Sequence, residues 1–179
     1  SLRGFLVRNI GQYRRLRAFG KQIVVDYNMN VTNNETLALW QEQGATRTTV
    51  SVELSPNEVI ALKGNIEKIV YGYLPVMTTS QCVLRGTSSC QKGKKEKHYF
   101  EMEDRKQVPW RIQTDCKVCM MQVMSYEPLA LKPNEWPQNA MLRIMLTTET
   151  KGQTEEILQN YICQGSKIGI KGTNFKGVL

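Results

Sequence analysis

The sequence predicts an α/β fold built on parallel strands, and three observations predict it. Short runs rich in Val, Ile, Thr and aromatic residues recur through residues 1–75, single segments of helical period lie between them, and two of those segments close on glycine. Strands that alternate with single helices pair in parallel, because a helix returning over the sheet delivers the next strand in the same direction.

The first strand is GFLVRN at 4–9, and the helical segment IGQYRRLRAFG follows it. KQIVVDY at 21–27 is the second strand, and NNETLALWQEQG is the second helix. TRTTVSVE at 46–53 is the third strand, and SPNEVIALKGN is the third helix. That helix has the clearest start in the chain: Ser55 can cap it, Pro56 suits the first helical position, and Glu58 can close a capping box. EKIVYGY at 67–73 is the fourth strand.

The rhythm breaks over 78–119, which holds four cysteines, the basic run KGKKEKH and a hairpin turning near Asp104 to Gln107, where Asp104 and Arg105 read as a turn pair. MQVMSYEPLAL reads as strand or irregular apolar chain. MLRIMLT at 141–147 is a fifth parallel strand, and 152–164 a helix with Ile157, Leu158, Tyr161 and Ile162 on one face. The expected organisation is βα units over 1–77, a cysteine-containing loop and hairpin excursion over 78–125, and a final βα unit over 126–179. Five strands are too few for a closed (β/α)8 barrel, which takes about 250 residues. The reading is therefore a partial TIM-like barrel, as though cut from a larger protein. Its open edge at 4–9 should be covered by a second copy or another partner.

With 41% hydrophobic residues the chain can bury a core, yet no apolar run approaches the roughly 18 to 20 residues of a membrane span. The N-terminal residues lack the unbroken apolar core of a signal peptide, so the cytoplasm is the expected location. There, clustered cysteines point to metal or redox chemistry before disulfides, and the odd count of five leaves one thiol over. The net charge of +8 suits a polyanion such as RNA, although a solvated basic surface gives the same number. Lys92, Lys94, Lys95 and Lys97 are the candidate contacts.

Cys116 and Cys119 stand at the C-x2-C spacing that turns two sulfurs toward one ion, and Cys82 and Cys90 form a looser C-x7-C loop. Four thiolates can complete a tetrahedral zinc site or hold an iron–sulfur cluster; incidental thiols are the alternative. Cys163 reads as a structural thiol. A Ser-His or Cys-His mechanism within this chain must use its one histidine, His98. Neither a metalloprotease H-E-x-x-H nor a glycine-rich phosphate loop is present. Asp26 and Glu53, with Asn9, Asn28 and Asn30, fall at the carboxyl ends of predicted parallel strands, where such folds place ligands. Caps and turns account for these residue types equally well.

The stretches VVDYNMNVTN, TVSVELSPNEV, VYGYLPVMTTSQC, YFEMEDRKQVPWRIQTDCKVC, SYEPLAL and GTNFKGVL together span nearly the whole chain, and in them it resembles the collagenase-like peptidases of family U-32. The resemblance implies a (β/α) barrel of which this chain matches the later portion, so that a missing N-terminal barrel half or a homodimer would cover the open edge. It also implies a peptidase of unassigned catalytic type acting on a peptide substrate. Relatives in the family are involved in hydroxylating RNA bases or the ubiquinone ring, and several carry an iron–sulfur cluster on four cysteines, which here would be Cys82, Cys90, Cys116 and Cys119. The chain departs from the family at Gly172 and Thr173, where a glycine–histidine pair is common, and at Met145, where an acidic residue is common. Both departures remove polar groups from the expected site. The alternative reading is a non-catalytic RNA-binding or interaction module stapled by structural zinc.

Overall fold

The structure, a computed structural model, describes residues 2–90, 92–95 and 97–162. In chain order its elements are β1 (Gly4–Val7), α1 (Ile10–Leu16), β2 (Gln22–Val25), α2 (Asn34–Glu42), β3 (Arg47–Thr49), α3 (Pro56–Ile60), β4 (Ile66–Gly72), β5 (Pro75–Thr79), β6 (Lys97–Glu103), β7 (Pro109–Asp115), β8 (Met120–Met124), β9 (Leu129–Ala130), β10 (Ala140–Met145) and α4 (Lys151–Ile162). Among the described residues these form two compact units, 2–71 with Ala130–Met145, and Gly72–Leu129 with 146–162.

The first unit is the predicted α/β part. Its sheet runs β1-β2-β3-β4-β10, with β9 also on β4, and the pairs β1–β2, β2–β3 and β3–β4 are parallel. The described residues form an open sheet with β1 at one edge, not a closed barrel. Local chemistry sets the helix starts. The Asn9 side chain accepts the Gln12 N–H at 2.9 Å, the Asn33 side chain accepts the Thr36 N–H at 2.8 Å, and Ser55 and Glu58 form the expected capping box behind Pro56.

Several elements are shorter than the sequence suggests, β3 most of all, with Arg47–Thr49 in place of 46–53. β1 stops at Val7 because the Arg8 N–H turns to the Gln12 side chain at 2.8 Å and joins the start of α1. The third helix stops at Ile60, where side chains from elsewhere take its end: Asn34 accepts the Lys63 N–H at 2.8 Å and donates to the Ala61 carbonyl, and Asn139 donates to the carbonyls of Val59, Ile60 and Leu62. Carbonyls at a helix end lack partners of their own, so donors supplied from a distance fix where the helix ends. One face of the sheet packs on the helices through Val7, Ile23, Val25 and Ile66, against Tyr13, Leu37, Trp40 and Val59. Tyr13 and Trp40 meet edge to face with ring centres 5.1 Å apart.

The expected excursion is a sheet in its own right. β5, β8, β7 and β6 pair in that order, all antiparallel, around Ile112, Met121 and Val123. The hairpin forms as predicted and turns at Asp104, whose carboxylate accepts the N–H groups of Lys106 and Val108 and the Trp110 indole N–H. These hydrogen bonds, that of Val108 foremost, hold its carboxyl below the usual carboxylate range. Residues 121–131, read as strand or irregular chain, contain most of β8 and all of β9, with Ser125 between them. The Ser125 N–H donates to the Leu74 carbonyl at 2.7 Å, and its hydroxyl accepts the Leu74 N–H at 3.2 Å. No described helix is long and apolar enough to cross a membrane. Cys163, Gly172, Thr173 and the last predicted helical turn lie outside the described residues.

Candidate functional site

The second unit brings the four predicted cysteines to one place. β7 ends on Asp115, whose carboxylate accepts the Lys117 N–H at 3.0 Å, and β8 begins at Met120 directly opposite Asp115. The chain between them must reverse in four residues, and Cys119 does so with a positive φ of 54°. Its thiol donates to the Cys116 carbonyl at 3.9 Å. The C-x7-C segment is a chain of turns: the Arg85 N–H donates to the Cys82 carbonyl, that of Thr87 to Leu84, and that of Cys90 to Thr87. The Gly93 N–H then donates to the Cys116 carbonyl at 2.9 Å and ties this basic loop to the cysteine turn.

The result is a cavity of about 190 Å³ lined by Cys82, Cys90, Cys116 and Cys119 together with Arg85 and Lys92. All four cysteines are free thiols, and Cys116 is buried. Four sulfurs around one space are the donor set of a tetrathiolate centre, and the two cations beside them would offset the negative charge such a centre carries. By donor type the residues fit. Among the described residues, no three His, Cys, Asp or Glu side chains already stand in a metal-holding arrangement.

The other predicted residues of this unit are placed as follows. Lys92, Lys94, Lys95 and Lys97 are exposed, and Lys92 also borders the cysteine cavity. His98 is half-buried on β6 opposite Thr114. Arg111 stacks on Tyr73 with its guanidinium carbon 4.0 Å from the ring centre, and also donates to the Thr148 hydroxyl.

In the first unit the strand-end residues separate into two groups. Asn9 is the cap of α1, Asn28 lies exposed in the turn Tyr27–Met29, Asn30 closes that turn at φ 50°, and Glu53 is exposed in the turn before α3. Asp26 is different, being wholly buried. One of its oxygens accepts from Arg8 Nε at 2.9 Å; the other accepts from Arg143 Nη1 at 2.8 Å and from the Tyr27 N–H at 2.9 Å. Burial first, and then the Asp26 charge, push the Tyr27 phenol above its ordinary value.

A second carboxylate adjoins it. Glu67 accepts from the Thr49 hydroxyl at 2.8 Å and from Arg143 Nη1 at 3.3 Å, and Arg47 Nη1 lies 3.7 Å away. Strand register explains the grouping. Val7, Val25, Thr48 and Ile66 align across β1 to β4, so the positions one residue on, Arg8, Asp26, Thr49 and Glu67, face the other side of the sheet from the helices. Sequence reasoning found Asp26 and missed its partners. The period-two polar positions of β3 and β4 were a signal for Thr49 and Glu67, but nothing local pointed to Arg143.

Lys68 was also missed. It lies on the helix side, almost fully buried, and its ammonium donates to the carbonyls of Ser51, Val52 and Leu54 at 2.9, 3.2 and 2.8 Å. Burial pushes this lysine down to about 8, with the Glu58 charge working the other way. It organises the loop between β3 and α3, and with its donors taken up by carbonyls it is placed as a structural cation.

Compared with known families, the chain matches the family model of peptidase family U32 over residues 3–99, more than half its length. The match takes in Cys82 and Cys90 and ends before Cys116 and Cys119. Neither the search of curated proteins nor that of solved structures returned a match.

Proposed function

Because the chain belongs to peptidase family U32, we propose that it is part of a collagenase-like member of that family whose four cysteines hold an iron–sulfur cluster and whose basic loop meets RNA. The observation that carries the reading is the single cavity in which Cys82, Cys90, Cys116 and Cys119 come together beside Lys92. In this reading the parallel order of β1 to β4 is the wall of a (β/α) barrel, and the full protein acts in the hydroxylation of RNA bases in the cytoplasm. When bound, the cluster supplies electron transfer. The chain's own residues would hold it: the turn between β7 and β8 carries one cysteine pair, the turn series at 82–90 carries the other, and the Gly93 N–H donates to the Cys116 carbonyl between them. Lys94, Lys95 and Lys97 stand exposed for phosphate contacts.

The C-x2-C turn between antiparallel strands also favours a second reading, structural zinc in a non-catalytic RNA-binding module. A peptidase mechanism resting on His98 is the third, and an unchanged proteolytic rate in His98→Ala would remove it.

Anaerobic purification followed by iron, acid-labile sulfide and zinc analysis separates the first two. Iron and sulfide are expected, lost together in Cys116→Ser and in Cys82→Ser. Zinc alone, with salt-sensitive RNA affinity that disappears when Lys92, Lys94, Lys95 and Lys97 are replaced by Gln, would establish the second reading instead. A chain with all four cysteines that holds neither metal would overturn both.

A further inference from the structure

We propose that the charged cluster around Asp26 is a binding site for an oxyanion, the phosphate or carboxylate group of a ligand, clamped by Arg8 and Arg143. The cluster holds three guanidinium groups, those of Arg8, Arg47 and Arg143, against two carboxylates, Asp26 and Glu67. It is therefore one positive charge in excess.

The way the arginines spend their donors is the main argument. A guanidinium offers a planar fork that satisfies a carboxylate with two parallel bonds, and a purely structural ion pair commonly uses it so. Here neither arginine does. Arg8 commits only Nε, to Asp26, and leaves both terminal nitrogens without a partner among the described residues, on a side chain that is 59% exposed. Arg143 makes its bonds to Asp26, Thr49 and Glu67 all through Nη1, which leaves its Nε and Nη2 uncommitted among the described residues. Arg47 adds a buried Nε with no hydrogen-bond partner.

Asp26 acts as the positioning residue. It accepts Arg8 on one oxygen and Arg143 on the other, so two like charges are held on one buried carboxylate at a cost in repulsion that a bound anion would relieve. Arg8 and Asp26 directly follow β1 and β2, at the carboxyl ends of parallel strands where open α/β sheets take ligands, while Arg47 and Glu67 join them from the starts of β3 and β4. The inference does not depend on the cysteine cavity or on any metal.

The test is a titration of the protein with inorganic phosphate at constant ionic strength, followed by phosphorus NMR linewidth. A saturable response is expected. Arg8→Gln should weaken it by about tenfold, Arg8→Lys should weaken it less because charge remains while the fork is lost, and Lys106→Gln, at an exposed lysine of the hairpin turn, should leave it unchanged. Arg8 is largely exposed, so the circular dichroism spectrum of Arg8→Gln should overlay that of the parent. Acetate as competitor separates the sources: displacement of phosphate assigns a site for either oxyanion, and failure to displace it assigns a phosphate. No saturable response, an Arg8→Gln affinity equal to that of the parent, or an equal loss in Lys106→Gln would overturn the proposal.

Discussion

Replacing Asp26 with asparagine keeps the side-chain shape and removes the charge that two arginines share. Asp26 is fully buried and accepts three hydrogen bonds, from Arg8 Nε, Arg143 Nη1 and the Tyr27 N–H. The amide oxygen can still accept from Tyr27. The Arg8 contribution is small, about 0–1 kcal/mol, because that side chain is 59% exposed and screened by water. Arg143 dominates. It is 18% exposed, and removing one partner of a buried pair costs about 3–5 kcal/mol. Its remaining bonds to Glu67 and Thr49 place the loss at the lower end, about 3 kcal/mol. For a chain of this size that is a fall in Tm of about 6–12 °C. Thermal unfolding by circular dichroism reads it, and urea midpoints with an unchanged slope confirm that stability rather than compactness has changed. The double variant Asp26→Asn/Arg143→Met removes both charges and should lose less than the sum of the two single variants. A single variant within about 1 kcal/mol of the parent, or a strictly additive double, would refute a shared buried charge network.

Two further outcomes follow from other buried contacts. Lys68 is pushed down to about 8 from 10.5, so the unfolded chain keeps that proton to higher pH than the folded one. The stability it contributes is fully present above about 10.5 and is lost as pH falls through about 8; the parent should therefore gain on Lys68→Met between those limits, and parallel urea midpoints of the two proteins across that range would contradict the burial of a charge. Ser55→Ala removes the hydroxyl that accepts the Glu58 N–H at the start of α3 and should cost about 1 kcal/mol, or about 2–4 °C in Tm; an unchanged Tm would show that the capping box does not hold that helix.

Much of the first unit was legible because its signals are local. The Ser55 cap acts on an N–H three residues on, and Pro56 and Gly20 need only their own backbone preferences. The lengths of β1 and α3 were not legible, since Gln12 takes the N–H that would have extended the strand and Asn34 and Asn139 take over the end of the helix. β5 went unread for a related reason. Pro75–Thr79 becomes a strand by pairing with β8, forty residues away in the chain, and its irregular register near Pro75 blurs the alternation a reader would look for.

At the candidate sites the cysteine spacing singled out four residues in the sequence, while only the fold shows them lining one cavity, with the Gly93 N–H donating to the Cys116 carbonyl beside it. Asp26 could be found at a strand end, but only the fold shows it buried under two arginines, one of them Arg143, far along the chain.

What the sequence determined by itself is therefore the alternation of strands and helices over the first 73 residues, the start of α3, the hairpin and the two cysteine pairs. Each depends on side chains within a few residues of the backbone they act on. The tertiary structure alone decided the sheet order, the separate antiparallel unit, the shared thiol cavity, the Lys68 staple and the partners of Asp26. Those depend on which distant donors packing brings within hydrogen-bond reach of a buried acceptor, and a buried polar group takes its partner from whatever the fold delivers there.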